Sequence, residues 1–275
     1  MYQRVLFALD LEGVNHVVGE PYSGLSRDTA QWHVACAQAV LEVNAAAEAL
    51  FAIGVKKVGL WDNHGGGGNI DGSLLDARIT LEAADRHLPR MYFADGAYDC
   101  ICFFGYHTME GTLGGVLAHT MNSKCVQFYK LNGHYIGEVD LDAYIAADKG
   151  LPSVFFAGGD LACKQARQAV ADIVTVETKQ ELSRNKAVFR NNNELLSDIK
   201  TSIVQAVSTD RTPRMLTYPA VMEKSFKRVE DAEKYLTKLR TRGIQAAYPD
   251  DEILGKDAHT VVSTIHGIGD LLMCI

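Results

Sequence analysis

Apolar runs of strand length alternate along this chain with helix-length segments, and several of those runs end in an acid or a histidine. Val5-Leu6-Phe7-Ala8-Leu9 is an unbroken apolar stretch that runs into Asp10-Leu11-Glu12-Gly13. A run with no polar alternation fits a strand covered on both faces, which in an α/β protein belongs to a parallel sheet. Residues 13–28 read as a loop, with Pro21 and Gly24 as turn signals. An Ala-rich helix over 30–52 follows, with Ser26 or Asp28 as its cap and Gly54 as its stop. A strand over 55–61 leads into Asp62-Asn63-His64 and four consecutive glycines, and then a helix-like segment over 73–84. Residues 98–106 form a strand ending at His107, and a Gly-rich stretch over 111–115 leads to His119.

Asn132-Gly133 separates apolar runs over 125–131 and 135–139, a strong hairpin signal that places Glu138 in the second hairpin strand. A helix over 140–148 and a strand over 153–157 complete this half. Beyond it, helices are expected over 160–170, 193–207 and 229–241, and strands over 172–177, 214–219, 244–248 and 258–264. The pattern predicts an α/β fold: a mostly parallel sheet flanked by helices, an inserted antiparallel hairpin, and a smaller C-terminal α/β subdomain. Gly158-Gly159 marks the expected boundary between a metal-binding catalytic domain, 1–157, and the C-terminal part, 158–275.

Charge and cysteine usage narrow the function. The net charge is −7 and there is no Lys/Arg-rich stretch, so the footprint of a nucleic-acid binder is missing. The six cysteines include no CxxC pair and read as reduced buried thiols. No apolar run reads as long enough to span a bilayer, and the N-terminus enters the first strand directly. A soluble, cytoplasmic protein is expected.

The chemistry concentrates where the apolar runs end. Alternation along a strand would bring Asp10 and Glu12 to one side, and two adjacent like charges need a shared proton, a cation or a metal to offset their repulsion. His64, His107, His119 and Glu138 lie in or just past other apolar runs, the region where an open α/β sheet builds its site. Three histidines and three carboxylates suit a two-zinc or similar site; cobalt and manganese can share such a mixed set. Each residue taken singly has a blander reading: Asp10/Glu12 a solvated turn, His64 an exposed loop histidine, His107 and His119 core histidines, Glu138 a strand acid facing water. Gly65–Gly68 supports a rival, nucleotide or phosphate binding, since a Gly-rich loop after a strand can cradle phosphate. Neither GxxxxGK[ST] nor a GxGxxG opening a helix is present there, and the neighbouring acids would repel phosphate.

With those residues in place the chain resembles the D-aminopeptidase (DppA-like) family of zinc metallopeptidases. The resemblance is carried by Leu9-Asp10-Leu11-Glu12-Gly13, Asp62-Asn63-His64-Gly65, Phe104-Gly105-Tyr106-His107, Gly115-Val116-Leu117-Ala118-His119-Thr120-Met121, and Leu131-Asn132-Gly133 with Ile136-Gly137-Glu138. It extends to Ala157-Gly158-Gly159-Asp160 and Leu182-Ser183-Arg184. It implies a site of two zinc ions per chain held by Asp10, Glu12, His64, His107 and Glu138, with Asp10 bridging. It also implies His119 as the catalytic group, short D-amino-acid peptides such as D-Ala-D-Ala as substrates, and a ring-shaped homo-oligomer built of pentamers, a decamer included. The chain departs from the family pattern at Trp61, the four glycines, Thr108-Met109 and Gly159, where an aspartate is commoner. None is an implied ligand, so a related amidase or lactonase with another small substrate is the alternative.

Overall fold

A computed structural model describes residues 1–21, 24–83 and 87–275. Its centre is a six-stranded sheet of β1 (Arg4–Leu9), β2 (Lys57–Asp62), β3 (Ile79–Glu82), β4 (Cys100–Tyr106), β7 (Ser153–Gly158) and β8 (Val174–Glu177). The order is β3-β2-β1-β4-β7-β8 and every pairing is parallel. β1 sits between β2 and β4, with Leu9 in register with both Asp62 and Phe104. The carboxyl ends of these three strands therefore finish at one level, and whatever follows them shares one edge of the sheet.

Alternation along β1 divides the core. Val5, Phe7 and Leu9 pack on one face with α1 (Ala30–Ala52) and α4 (Asn192–Ser208). Leu6 and Ala8 belong to the core on the other face, with residues of α2 (Glu138–Asp148), α3 (Asp160–Ala169), α5 (Val229–Thr241) and α6 (Ile268–Cys274). That second core also takes side chains from a five-stranded antiparallel sheet. It comprises β5 (Val126–Leu131), β6 (His134–Ile136), β11 (Ala220–Phe226), β12 (Ala246–Ala247) and β15 (Thr260–Ile265), in the order β12-β15-β11-β5-β6. The hairpin at Asn132-Gly133 is thus present, and it joins strands drawn from the last fifty-odd residues. A ribbon of β9 (Lys179–Ser183) and β10 (Lys186–Phe189) and a short one of β13 (Asp250–Asp251) and β14 (Gly255–Lys256) complete the fold.

Several local expectations change. Thr29, not Ser26 or Asp28, caps α1, accepting from the Trp32 amide at 3.2 Å. Within the segment read as helical over 73–84, a 3-10 turn at Gly72–Leu74 is followed by strand β3 up to Glu82; residue 84 lies outside the described residues. Glu138 opens α2 rather than lying in the hairpin strand, which ends at Ile136. The strand expected over 214–219 begins only at Ala220, because Pro213 and Pro219 lack the amide donor a ladder needs. α1, at 23 residues, is long and apolar enough by length and composition to cross a bilayer, which corrects the expectation that no run reaches that length. Its buried stripe from Ala35 through Val43 to Leu50 packs on the sheet and on α4.

Candidate metal centre

The sheet register explains how distant residues meet. Asp10 follows the last residue of β1, His64 lies two beyond β2, and His107 one beyond β4. Two glycines allow the ends of β1 and β4 to close on each other. The Gly105 backbone has φ +67°, and a Cβ there would sit 1.9 Å from the Asp10 carbonyl oxygen. One on Gly13 would sit 2.0 Å from the Tyr106 carbonyl oxygen. The Gly13 amide instead donates to the Gly105 carbonyl at 2.7 Å, folding the turn that carries Glu12 back over β4.

All six expected residues converge. Asp10 and Glu12 lie just past the strand rather than within it, yet both carboxylates reach the same atom. His64 Nδ1 is 2.9 Å from Asp10 Oδ1 and 3.1 Å from Glu12 Oε2. His107 Nε2 is 3.4 Å from Asp10 Oδ2 and 3.4 Å from Glu138 Oε1. His119 Nε2 is 3.7 Å from Glu138 Oε1, and its ring stacks on His107 with centroids 3.9 Å apart. Donor atoms of Asp10, Glu12 and His107 lie within 4.8 Å of one another, as do those of His107, His119 and Glu138. The two groups share His107.

Backbone contacts fix the ring orientations. His107 Nδ1 lies 2.9 Å from the Thr108 carbonyl and His119 Nδ1 lies 2.8 Å from that of Leu117. Each Nδ1 donates, so each Nε2 is turned toward the carboxylates. His107 Nε2 is buried and has no hydrogen-bond partner. Burial opposes ionisation of Asp10, His107 and Glu138, but their mutual pairing outweighs it: both carboxyls are held below their usual range and the imidazole is held above its own. Burial likewise opposes a charged His64, and the Glu12 and Asp10 carboxylates overcome it, pushing its pKa up to about 11. Three buried carboxylates here need positive charge, which protons on the imidazoles can supply. An orphaned ring nitrogen between two carboxylate oxygens, within an N/O donor set, is also what a zinc-like ion requires, so the residues fit a metal.

Residues outside the expected set hold this cluster in place. Lys179 is fully buried, and its Nζ donates to the carbonyls of Glu12 (2.5 Å), Val14 (3.0 Å) and Val17 (2.6 Å), tying down the turn behind Glu12. Burial lowers its pKa to about 8, against the pull of Glu181, Glu42 and Glu12. Glu42, buried in α1, accepts from the Asn15 amide and from Gln38 Nε2, both at 2.9 Å. Burial pushes its pKa up to about 7 despite those bonds and Lys179. The i, i+4 spacing of Gln38 and Glu42 on the apolar stripe of α1 was the readable signal for this network; Lys179 carried none. Asp142 chelates Arg90 through Nε and Nη2 at 2.5 and 2.9 Å and accepts from the Tyr106 hydroxyl at 2.7 Å. Glu181 fills the space a Gly159 side chain would need and accepts from the Val116, Leu161 and Ala162 amides, which explains a glycine at 159.

The glycine loop has positive φ at all four positions, from 56° to 98°. Asp62 staples it by accepting from the Asn69 and Ile70 amides, and Arg27 donates to the Gly68 carbonyl. The loop lines a cleft of about 380 Å³ together with Asp10, Glu12, His119 and Glu138.

The D-aminopeptidase family model matches residues 3–248. The chain belongs to the D-aminopeptidase family. Over 91 residues it is 34% identical to the D-aminopeptidase of Bacillus subtilis (strain 168), a match covering 33% of this chain and 32% of that relative, so it spans about a third of the curated relative's length. In fold it is similar to the Zn-dependent D-aminopeptidase DppA from Bacillus subtilis, described as a self-compartmentalizing protease. That likeness has a TM-score of 0.83 at 20% identity, covering 98% of this chain and 94% of the other.

Proposed function

We propose that this protein is a zinc-dependent aminopeptidase that removes the N-terminal residue from short D-amino-acid peptides, with D-Ala-D-Ala as the simplest test substrate. The observation that carries the reading is the buried His107 Nε2, without a hydrogen-bond partner, between Asp10 and Glu138, two residues that line the cleft. Family membership and the zinc dependence of the similar Bacillus subtilis enzyme support it.

Asp10, Glu12, His64, His107 and Glu138 would hold two zinc ions, with the Asp10 carboxylate between His64 and His107. Zinc, when bound, supplies a Lewis acid for the scissile carbonyl and an anchor for the free amine. Glu138 accepts from the Met121 amide at 2.7 Å, which orients its carboxylate toward His107. His119 presents Nε2 toward the cleft, with Nδ1 committed to the Leu117 carbonyl. In this reading His119 attacks the carbonyl or accepts and returns a proton, a role suited to imidazole because its ordinary pKa lies near neutral pH. Arg184 donates to the Ala118 carbonyl at 2.9 Å and so holds the segment that carries His119. Assembly into a ring of subunits is part of the same reading, supported by the self-compartmentalizing character of the similar enzyme.

The test is elemental analysis joined to kinetics. Purified protein should carry close to two zinc ions per chain, hydrolyse D-dipeptides in preference to their L counterparts, and lose activity on chelation and regain it with zinc. Active protein without metal, or activity indifferent to chelators, would refute the reading.

A further inference from the structure

Beside the metal cleft lies a second cavity, of about 330 Å³, whose lining is mostly apolar. The two share Asn63, Gly66, Arg90 and Met121, so they are neighbouring compartments with a common wall. The second is walled by Trp61, Tyr92, Phe93, Met121 and Leu272. Its aromatic rings brace one another: Phe93 meets Trp61 at 6.1 Å and Tyr92 at 5.5 Å, both edge to face. The Arg90 guanidinium lies 4.9 Å over Trp61 and is itself fixed by the bidentate contact to Asp142. Such a wall does not need to rearrange on binding, and preformed apolar compartments with few polar groups are where ligand side chains are recognised.

We propose that this compartment receives the side chain of the substrate's N-terminal residue, and that the enzyme therefore prefers peptides beginning with a large apolar residue, leucine- or phenylalanine-sized, over alanyl peptides. The inference rests on the aminopeptidase reading. The compartment shares Asn63, Gly66, Arg90 and Met121 with the cleft that Asp10 and Glu138 line, so it is the apolar space next to a substrate held there. A methyl group would leave most of 330 Å³ unfilled. Each further methylene buried there is worth about fourfold in transition-state binding, so the three carbons separating leucine from alanine imply a preference of about 50-fold.

The experiment measures kcat/KM of the zinc-loaded full-length protein on X-Ala dipeptides, X being Ala, Leu or Phe, in both the D and the L series. The expected result is a preference of about 50-fold for leucyl over alanyl in the hydrolysed series. In a Leu272→Trp variant, which narrows the compartment, that ratio should fall to about fivefold or less. Alanyl substrates turned over as well as or better than leucyl ones would overturn the inference while leaving the aminopeptidase reading intact. So would a leucyl preference that survives Leu272→Trp. If no dipeptide is hydrolysed, the aminopeptidase reading falls, and calorimetric binding of leucine and alanine hydroxamates decides the pocket separately. Tighter binding of leucine hydroxamate by tens of fold would support the pocket, and equal binding would overturn it. Should Leu272→Trp fail to fold, the wild-type ratios alone decide.

Discussion

Replacing Glu42 by glutamine should stabilise the protein at neutral pH and do so much less in mild acid. Glu42 is fully buried in α1, and its Oε2 has no hydrogen-bond partner. Burial lifts its pKa from an ordinary 4.5 to about 7, with the attraction of Lys179 already included. A carboxyl whose folded pKa is raised holds a proton that the unfolded chain has released, so stability falls as pH rises from 4.5 to 7 and stays lower above it. A gap of about 2.5 pH units corresponds to about 3 kcal/mol. Glutamine keeps the carbonyl that accepts from the Asn15 amide and Gln38, and carries no charge to ionise. Urea unfolding of both proteins across pH 5 to 7.5 tests this, since metal-site effects cancel in the difference between them. The variant should exceed wild type by under about 1 kcal/mol near pH 5 and by about 3 kcal/mol at pH 7.5. A difference independent of pH, or a variant less stable at pH 7.5, would refute the assignment of a strained buried carboxylate.

Other outcomes follow from the same geometry. His107→Ala and Glu138→Ala should lose zinc and activity together, whereas His119→Ala should keep its zinc and lose most turnover; metal analysis of the three separates ligands from the catalytic group. Lys179→Met strands three buried carbonyls and should cost about 3 kcal/mol or more, with weaker zinc retention because the Glu12 turn loses its tie; denaturation and metal competition read the two effects. Gly105→Ala sets a methyl against the Asp10 carbonyl in a left-handed backbone, and should either fail to fold or lose about 3 kcal/mol in unfolding experiments. A Gly66→Ala/Gly67→Ala double variant strains φ values of 98° and 85°, and should slow turnover with zinc content intact; unchanged kinetics would make the loop a plain connector.

The sequence by itself determined the parts that depend on local pattern. The unbroken apolar run 5–9, the Ala-rich stretch ended by Gly54 and the Asn132-Gly133 turn each impose one local conformation, and β1, α1 and the β5–β6 hairpin form where those signals lie. The six chemically distinctive residues were readable because acids and histidines at the ends of apolar runs are out of place unless something uses them. Tertiary structure decided what local pattern cannot encode. Parallel register put the ends of β1, β2 and β4 at one level and so gathered residues 10, 64 and 107 on one edge. Glu138 looked like a strand residue because its neighbours are apolar, and only the packing of α2 made it the first residue of a helix. Lys179 and Arg90 were invisible as site residues because their roles consist of partners distant in sequence, the carbonyls of the Glu12 turn and Asp142; Glu42 showed only its spacing from Gln38, and its bond to the Asn15 amide came with the fold. The cavity beside the metal cleft is likewise assembled from the end of β2 and the loop after it, the 88–93 segment, Met121 and the C-terminal residues Leu272 and Ile275, and a compartment built from four remote stretches exists only once the chain has folded.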